Sequence, residues 1–162
     1  SMRLQHTIPP LYDERSRVLI LGSFPSVKSR ETGFFYGHPQ NRYWRVLASL
    51  WGEPVPQTVE EKRAFLLKHH IAAWDVIADC EITGSSDASI RDARPNDLSE
   101  IFAAADIRAV FVNGSTAAKL YRKHMTGYPE CVALPSTSPA NAAWGLERLC
   151  ETWQIVKEKT EE

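Results

Sequence analysis

The chain has 162 residues, enough for one compact domain over residues 1–162, and its 43% hydrophobic and 24% charged residues give the balance of an ordinary globular protein. No run of about 18 apolar residues could span a membrane and no basic-then-apolar leader opens the chain, so a cytoplasmic protein without a membrane partner is expected. A formal net charge of −1 excludes a strongly basic coat but not a local basic face, and Lys28, Arg30, Arg42 and Arg45 gather in one segment while Glu158, Glu161 and Glu162 load the tail.

In chain order, Ser1 reads as a cloning scar, and the first apolar run, Val18 to Leu21, reads as a strand ending at Gly22. A Gly-Pro turn through Ser23, Phe24, Pro25 and Ser26 leads into a loop carrying Phe34, Phe35, Tyr36, His38 and Asn41. Three adjacent aromatics cannot all face one pocket, so at least one of them is structural. Tyr43, Trp44, Leu47, Leu50 and Trp51 recur at helical spacing, and Gly52 with Pro54 stops that helix. Thr58 followed by Glu61 is a capping-box pattern opening a helix to about Lys68. Ile71 to Trp74 reads as the second strand. Cys80 to Pro95, with Gly84, Ser85, Ser86 and Asp87, lacks apolar periodicity and reads as a long surface loop, functional or simply connecting.

Asp97 and Glu100 repeat the capping pattern before Ile101 and Phe102. Ala109 to Val112 and Cys131 to Leu134 are the third and fourth strands, and Ser115 can cap a helix through Met125 between them. The last helix sets Ala142, Leu146, Leu149, Cys150, Trp153 and Val156 on one stripe. Short, continuously apolar strands alternating with helices predict an α/β fold whose parallel sheet is covered on both faces, with right-handed crossovers. Cys80, Cys131 and Cys150 are odd in number and widely spaced, which indicates neither a disulfide framework nor a metal site.

Ligands of open parallel sheets bind beyond the carboxyl ends of the strands. Here those ends are Gly22-Ser23, Asp75, Asn113-Gly114-Ser115, and Pro135 through Asn141, all small or polar. Their convergence predicts a polar cleft with backbone amides for phosphate oxygens and, beside the aromatic loop, room for a flat, polar-edged group such as a nucleobase.

Gly22-Ser23-Phe24-Pro25-Ser26, then His38-Pro39-Gln40-Asn41-Arg42-Tyr43-Trp44, then Ser136 to Asn141 resemble the signature regions of the uracil-DNA glycosylase superfamily, closest to its hypoxanthine-DNA glycosylase branch. The resemblance implies a three-layer αβα fold with a short four-stranded parallel sheet. It implies a monomeric enzyme, free of metal and cofactor, that flips a deaminated base from double-stranded DNA and hydrolyses its glycosidic bond in base excision repair. No lysine stands in the motifs as a Schiff-base nucleophile, so the enzyme is monofunctional.

Many members of the superfamily orient the attacking water with Asp or Asn two residues after the first glycine. Phe24 stands there, and the resemblance shifts that catalytic role to Asn41. Tyr36 falls where an aromatic stacks on the flipped base, the amides of Ser23 and Phe24 can donate to a base carbonyl, and Asp75 can accept the N1–H of hypoxanthine. Ser136 takes a base-contacting position, although its side chain is shorter than the usual His or Asn. Pro25, Ser26, Ser115, Ser138, Pro139 and Asn141 are implied DNA contacts, and Arg91 and Arg94 are loop arginines suited to phosphate or to solvent.

Plainer roles stand beside these. Asn41 and Asn141 are good helix N-caps, Tyr36 could be core, and Asp75 could cap the next turn. Within the class, a mismatch uracil or thymine glycosylase is the alternative. Outside it stand a noncatalytic nucleotide- or DNA-binding module and, more remotely, a flavodoxin-like cofactor binder.

Overall fold

The computed structural model describes residues 2–83 and 87–162. Its centre is a four-stranded parallel sheet in the order β3 (Ile71–Asp75), β2 (Val18–Gly22), β6 (Ala109–Asn113) and β7 (Cys131–Leu134). All four strands fall where the apolar runs predict them. In register, Gly22 pairs with Asp75, Leu21 with Val112 and Asn113 with Leu134, so the small and polar strand ends lie along one edge.

Side chains alternate across a strand, and β2 divides accordingly between two cores. Val18 and Ile20 pack with Leu47 and Leu50 of α2 (Tyr43–Trp51) and with Leu149, Trp153 and Val156 of α6 (Leu146–Thr160). Leu19 and Leu21 face Ile101 of α4 (Ser99–Ala104) and Ala117, Ala118 and Tyr121 of α5 (Ser115–His124). Every residue of β2 is buried, as a strand covered on both faces requires. Helix, sheet and helix make the three expected layers.

Local signals set the helix bounds. α3 (Val59–Lys68) starts on a complete capping box: Thr58 Oγ1 accepts from Glu61 N–H, and the Glu61 carboxylate reaches back to the Thr58 N–H. α2 stops at Gly52, whose φ of 62° is the left-handed conformation that glycine adopts without strain.

Five expectations change. Cys80 to Pro95 is not a plain loop: β1 (Met2–Gln5), β4 (Ile77–Ile82) and β5 (Arg91–Pro95) form a second, antiparallel sheet in the order β1-β4-β5, with a 3-10 turn at Asp87–Ser89; Gly84, Ser85 and Ser86 lie outside the described residues. The charged edge strand Arg-Asp-Ala-Arg-Pro buries no stripe, so its pairing leaves no hydrophobic pattern. Asp97 accepts from Ser99 N–H, but Glu100 accepts from the Tyr12 hydroxyl instead of closing a capping box. Ser115 is the first residue of α5, behind Gly114, and does not cap it. α6 begins only at Leu146, so exposed Ala142 precedes it, Leu146 is itself 40% exposed, and Asn141 is no helix cap. Finally, Val27–Thr32 forms a short helix, α1, inside the segment read as a loop; the Ser26 hydroxyl accepts from Ser29 N–H and caps it.

Candidate active site

The turn after β2 is pinned by its backbone. Gly22 and Ser23 carbonyls accept from Val76 and Ile77 N–H at 2.8 and 3.0 Å, holding Ser23 beside the end of β3. The Ser23 and Phe24 N–H groups find no backbone acceptor among the described residues. The Phe24 ring is buried among Val76, Ile77 and Leu98, edge-on to His6, so only its backbone belongs to the turn. Pro25 is buried as well, and Ser26 is half-buried.

Gly22 is required by space. A Cβ there would lie 2.4 Å from Asp75 Oδ1 and 3.0 Å from the Tyr36 hydroxyl oxygen, so the carboxylate and the phenol converge on the backbone of β2. Asp75 is 4% exposed, and its Oδ2 lies 2.8 Å from His6 Nε2. His6 Nδ1 accepts from Ile8 N–H, which places the ring proton on Nε2 and makes His6 the donor to the carboxylate. Asn96 donates to the Asp75 carbonyl at 2.9 Å, fixing the strand end. Asp75 is thus not a solvated cap.

Tyr36 adopts φ of 52°, unusual for a side chain this large. Its ring stacks on Tyr43 at 3.8 Å between centroids, leaving at most the opposite face for a base. The hydroxyl is enclosed near the Asn113 amide without a hydrogen bond of ordinary geometry, and burial pushes both phenols far above their usual pKa, so they stay neutral. Phe34 and Phe35 are core residues.

Asn41 Oδ1 accepts from Tyr43 N–H at 2.9 Å, so it does serve the start of α2. It also accepts from the Thr137 hydroxyl at 2.8 Å, which ties it to the loop after β7. In that loop Ser136 Oγ accepts from Ser138 N–H, Asn141 donates its side-chain amide to the Ser136 carbonyl, and the Ser138 hydroxyl accepts from Ala140 N–H. Pro139 is exposed at the tip. Gly114, at φ 100°, lets α5 start against Ser136, since a Cβ would sit 3.1 Å from the Ser136 Cβ; Ser115 is exposed just beyond.

His6 carries no signal in the sequence, and Asp87, Asn113 and Thr137 appear there only as members of a polar loop or of converging strand ends, with no role of their own. The 3-10 turn brings Asp87 towards Ser23 and Asp75; desolvation raises its carboxyl pKa, the Ser23 side chain opposes that, and Asp75 adds to it. The Asp87 residue is exposed as a whole while this carboxyl is crowded from inside. Arg42 is a clamp: its guanidinium donates to the carbonyls of Thr137, Ser138, Asn141 and Trp144. Arg91 donates to the Ala88 and Ile90 carbonyls, and exposed Arg94 lies 3.7 Å from Asp79. His6 meets Asp75 across 69 positions and Thr137 meets Asn41 across 96, so no local spacing could have announced them.

Among the described residues, no helix is long and apolar enough to cross a membrane.

Residues 9–158 match the family model of the uracil DNA glycosylase superfamily. A hypoxanthine DNA glycosylase of Methanosarcina acetivorans is 34% identical over 156 residues, 94% of this chain and 98% of the relative. Its counterpart in Methanosarcina barkeri is 36% identical over 108 residues, 65% of this chain and 68% of that one. The solution NMR structure of a candidate uracil DNA glycosylase from M. acetivorans superposes with a TM-score of 0.80 at 33% identity, covering 99% of this chain and 100% of that one.

Proposed function

The chain belongs to the uracil DNA glycosylase superfamily, and on that footing we propose that it is a monofunctional DNA glycosylase excising deaminated bases, hypoxanthine ahead of uracil, from double-stranded DNA. It works as a monomer in the cytoplasm, without metal or cofactor.

The observation that carries the choice of base is the His6–Asp75 pair. Because His6 spends its N–H on Oδ2, the carboxylate faces the site as an acceptor through Oδ1. Hypoxanthine offers N1–H there, whereas its parent adenine offers the N1 lone pair, which a carboxylate oxygen repels. Deamination therefore reverses the fit at the atom Asp75 addresses. The neighbouring N–H groups of Ser23 and Phe24 suit the O6 carbonyl that deamination creates.

Hydrolysis leaves negative charge on the departing base while the sugar becomes cation-like. Donors already aimed at the base lower that barrier without reorganising. Tyr36 supplies a neutral stacking surface, backed by Tyr43. Asn41 stands where the loop before α2 meets the loop after β7, and serves as the catalytic side chain in place of the missing Asp or Asn at Phe24. Ser115, Ser138, Pro139 and Asn141, with Ser136 at the pocket edge and Ser26 at the β2 turn, contact the DNA, while Pro25, expected to join them, is buried and shapes that turn.

Labelled duplexes containing hypoxanthine, uracil, xanthine or mismatched thymine test this directly. Alkali-labile abasic sites should appear fastest at the hypoxanthine lesion. Preferential release of uracil or thymine would instead make the chain a mismatch glycosylase, and DNA binding without release of any base would make it a noncatalytic module.

A further inference from the structure

The hydrogen bonds around Asn41 form a chain whose polarity is fixed at both ends by backbone donors. Thr137 N–H donates to Asn113 Oδ1 at 3.0 Å, which identifies the oxygen end of that amide. Asn113 Nδ2 consequently donates to Thr137 Oγ1 at 2.9 Å. With a donor already on its oxygen, the Thr137 hydroxyl sends its own proton on to Asn41 Oδ1 at 2.8 Å. Tyr43 N–H, which cannot reverse, donates to the same Oδ1 at 2.9 Å. Both lone pairs of that oxygen are therefore committed, and the amide cannot flip without opposing donor to donor at two places.

Thr137 is fully buried, and it is gripped through its carbonyl by the backbone N–H and the guanidinium of Arg42. Its hydroxyl has no freedom to serve anything except this chain.

We propose that Thr137, supported by Asn113, is a positioning residue that locks the Asn41 amide with its NH2 outward, so that Asn41 acts in base excision as a hydrogen-bond donor. This rests on the glycosylase reading above. A locked amide of this polarity cannot accept a proton from the attacking water. What it offers is a pair of N–H groups for the acceptor atoms of the departing base, where negative charge accumulates as the glycosidic bond breaks. The bond between C1′ and the base nitrogen takes its electron pair to the base, water supplies the new C1′–O bond, and the proton lost by the water ends in solvent.

The test is single-turnover excision from a hypoxanthine duplex by the full chain, with DNA affinity and thermal unfolding measured on each variant. Thr137→Val keeps the shape and removes the hydroxyl; it should slow the chemical step about 10- to 100-fold, the scale of one mis-set buried hydrogen bond, with little change in DNA affinity. Thr137→Ser restores the hydroxyl and should return the rate close to wild type. Asn41→Asp retains acceptors for Tyr43 N–H and Thr137 but replaces the outward donors by an anion, and should be slower than wild type. In the free protein, the Asn41 side-chain NH2 signals, assigned by their absence from Asn41→Asp, should shift in Thr137→Val and stay in place in Thr137→Ser.

Wild-type rates in both Thr137→Val and Asn41→Asp would overturn the proposal, as would failure of Thr137→Ser to rescue a folded protein. A faster Asn41→Asp would assign Asn41 to water activation instead. If wild-type protein releases no base, the glycosylase reading fails on its own, and unmoved NH2 signals in Thr137→Val would separately remove the positioning role.

Discussion

At the scale of single residues, Asn41 lies one position before the helix cap, Arg42, and its one oxygen serves both the first turn of α2 and the loop after β7. Asn41→Ala should cut single-turnover base release about 100- to 1,000-fold if the side chain stabilises the transition state. Loss of the helix-start bond should cost only about 1 kcal/mol, read as a shift in melting temperature. A large loss of stability with unchanged specific activity would leave the capping role alone. Asp75 makes a sharper prediction because His6 fixes which way a replacement faces. In Asp75→Asn the His6 Nε2–H holds the amide oxygen, turning the NH2 towards the base, where it opposes the N1–H of hypoxanthine and suits a carbonyl. Hypoxanthine release should fall about 10- to 100-fold, the effect of one unsatisfied buried donor, while uracil release falls less. Equal losses on the two lesions in parallel assays would remove Asp75 from base reading. The type of each residue was legible in the sequence at these positions; the tautomer of His6 and the orientation of the Asn41 amide were not, because both depend on backbone donors brought in by the fold.

Among the elements, the Asp97–Glu100 capping pattern and the Ser115 cap did not hold, while other local signals were read correctly. The α3 capping box is one, since all its groups lie within a few residues of one another. Gln57 and Thr58 N–H groups donate to the Glu61 carboxylate and hold its pKa below the ordinary value. A depressed folded-state pKa means that the contribution is present above the unfolded value and is lost as pH falls through the folded one. Melting curves of Glu61→Ala should therefore fall below wild type at neutral pH and converge with it in acid. Thr58→Ala should cost about 1 kcal/mol and, like any cap loss, leave base specificity untouched. The β4–β5 pair is the contrary case. Its strand Arg91–Pro95 is exposed and charged, and its order comes from backbone bonds to β4 and from Arg3, which bridges Asp79 and Asp92. None of that is periodic in the sequence.

For the molecule as a whole, Arg42 joins the two signature segments that the sequence shows only as separate motifs. Its donors to four carbonyls hold the loop after β7 against the start of α2, the same junction at which Thr137 meets Asn41. Charge-assisted bonds of this kind contribute about 1.5–3 kcal/mol each before compensation. Arg42→Ala should lower the melting temperature by several degrees, at roughly 2–4 °C per kcal/mol for a chain of this size. It should also reduce base release more than DNA affinity, and a variant that lost affinity alone would make Arg42 a DNA contact instead of a clamp. The sequence by itself determined the four parallel strands, the helices with strong caps and the family, because these are written in local periodicity and contiguous motifs. Only the tertiary structure decided which side chains act together. His6 with Asp75, and Asn113 with Thr137 and Asn41, are hydrogen-bonded groups far apart in the chain, and their donor and acceptor polarity is set by backbone that comes into place only when the sheet and its loops have formed.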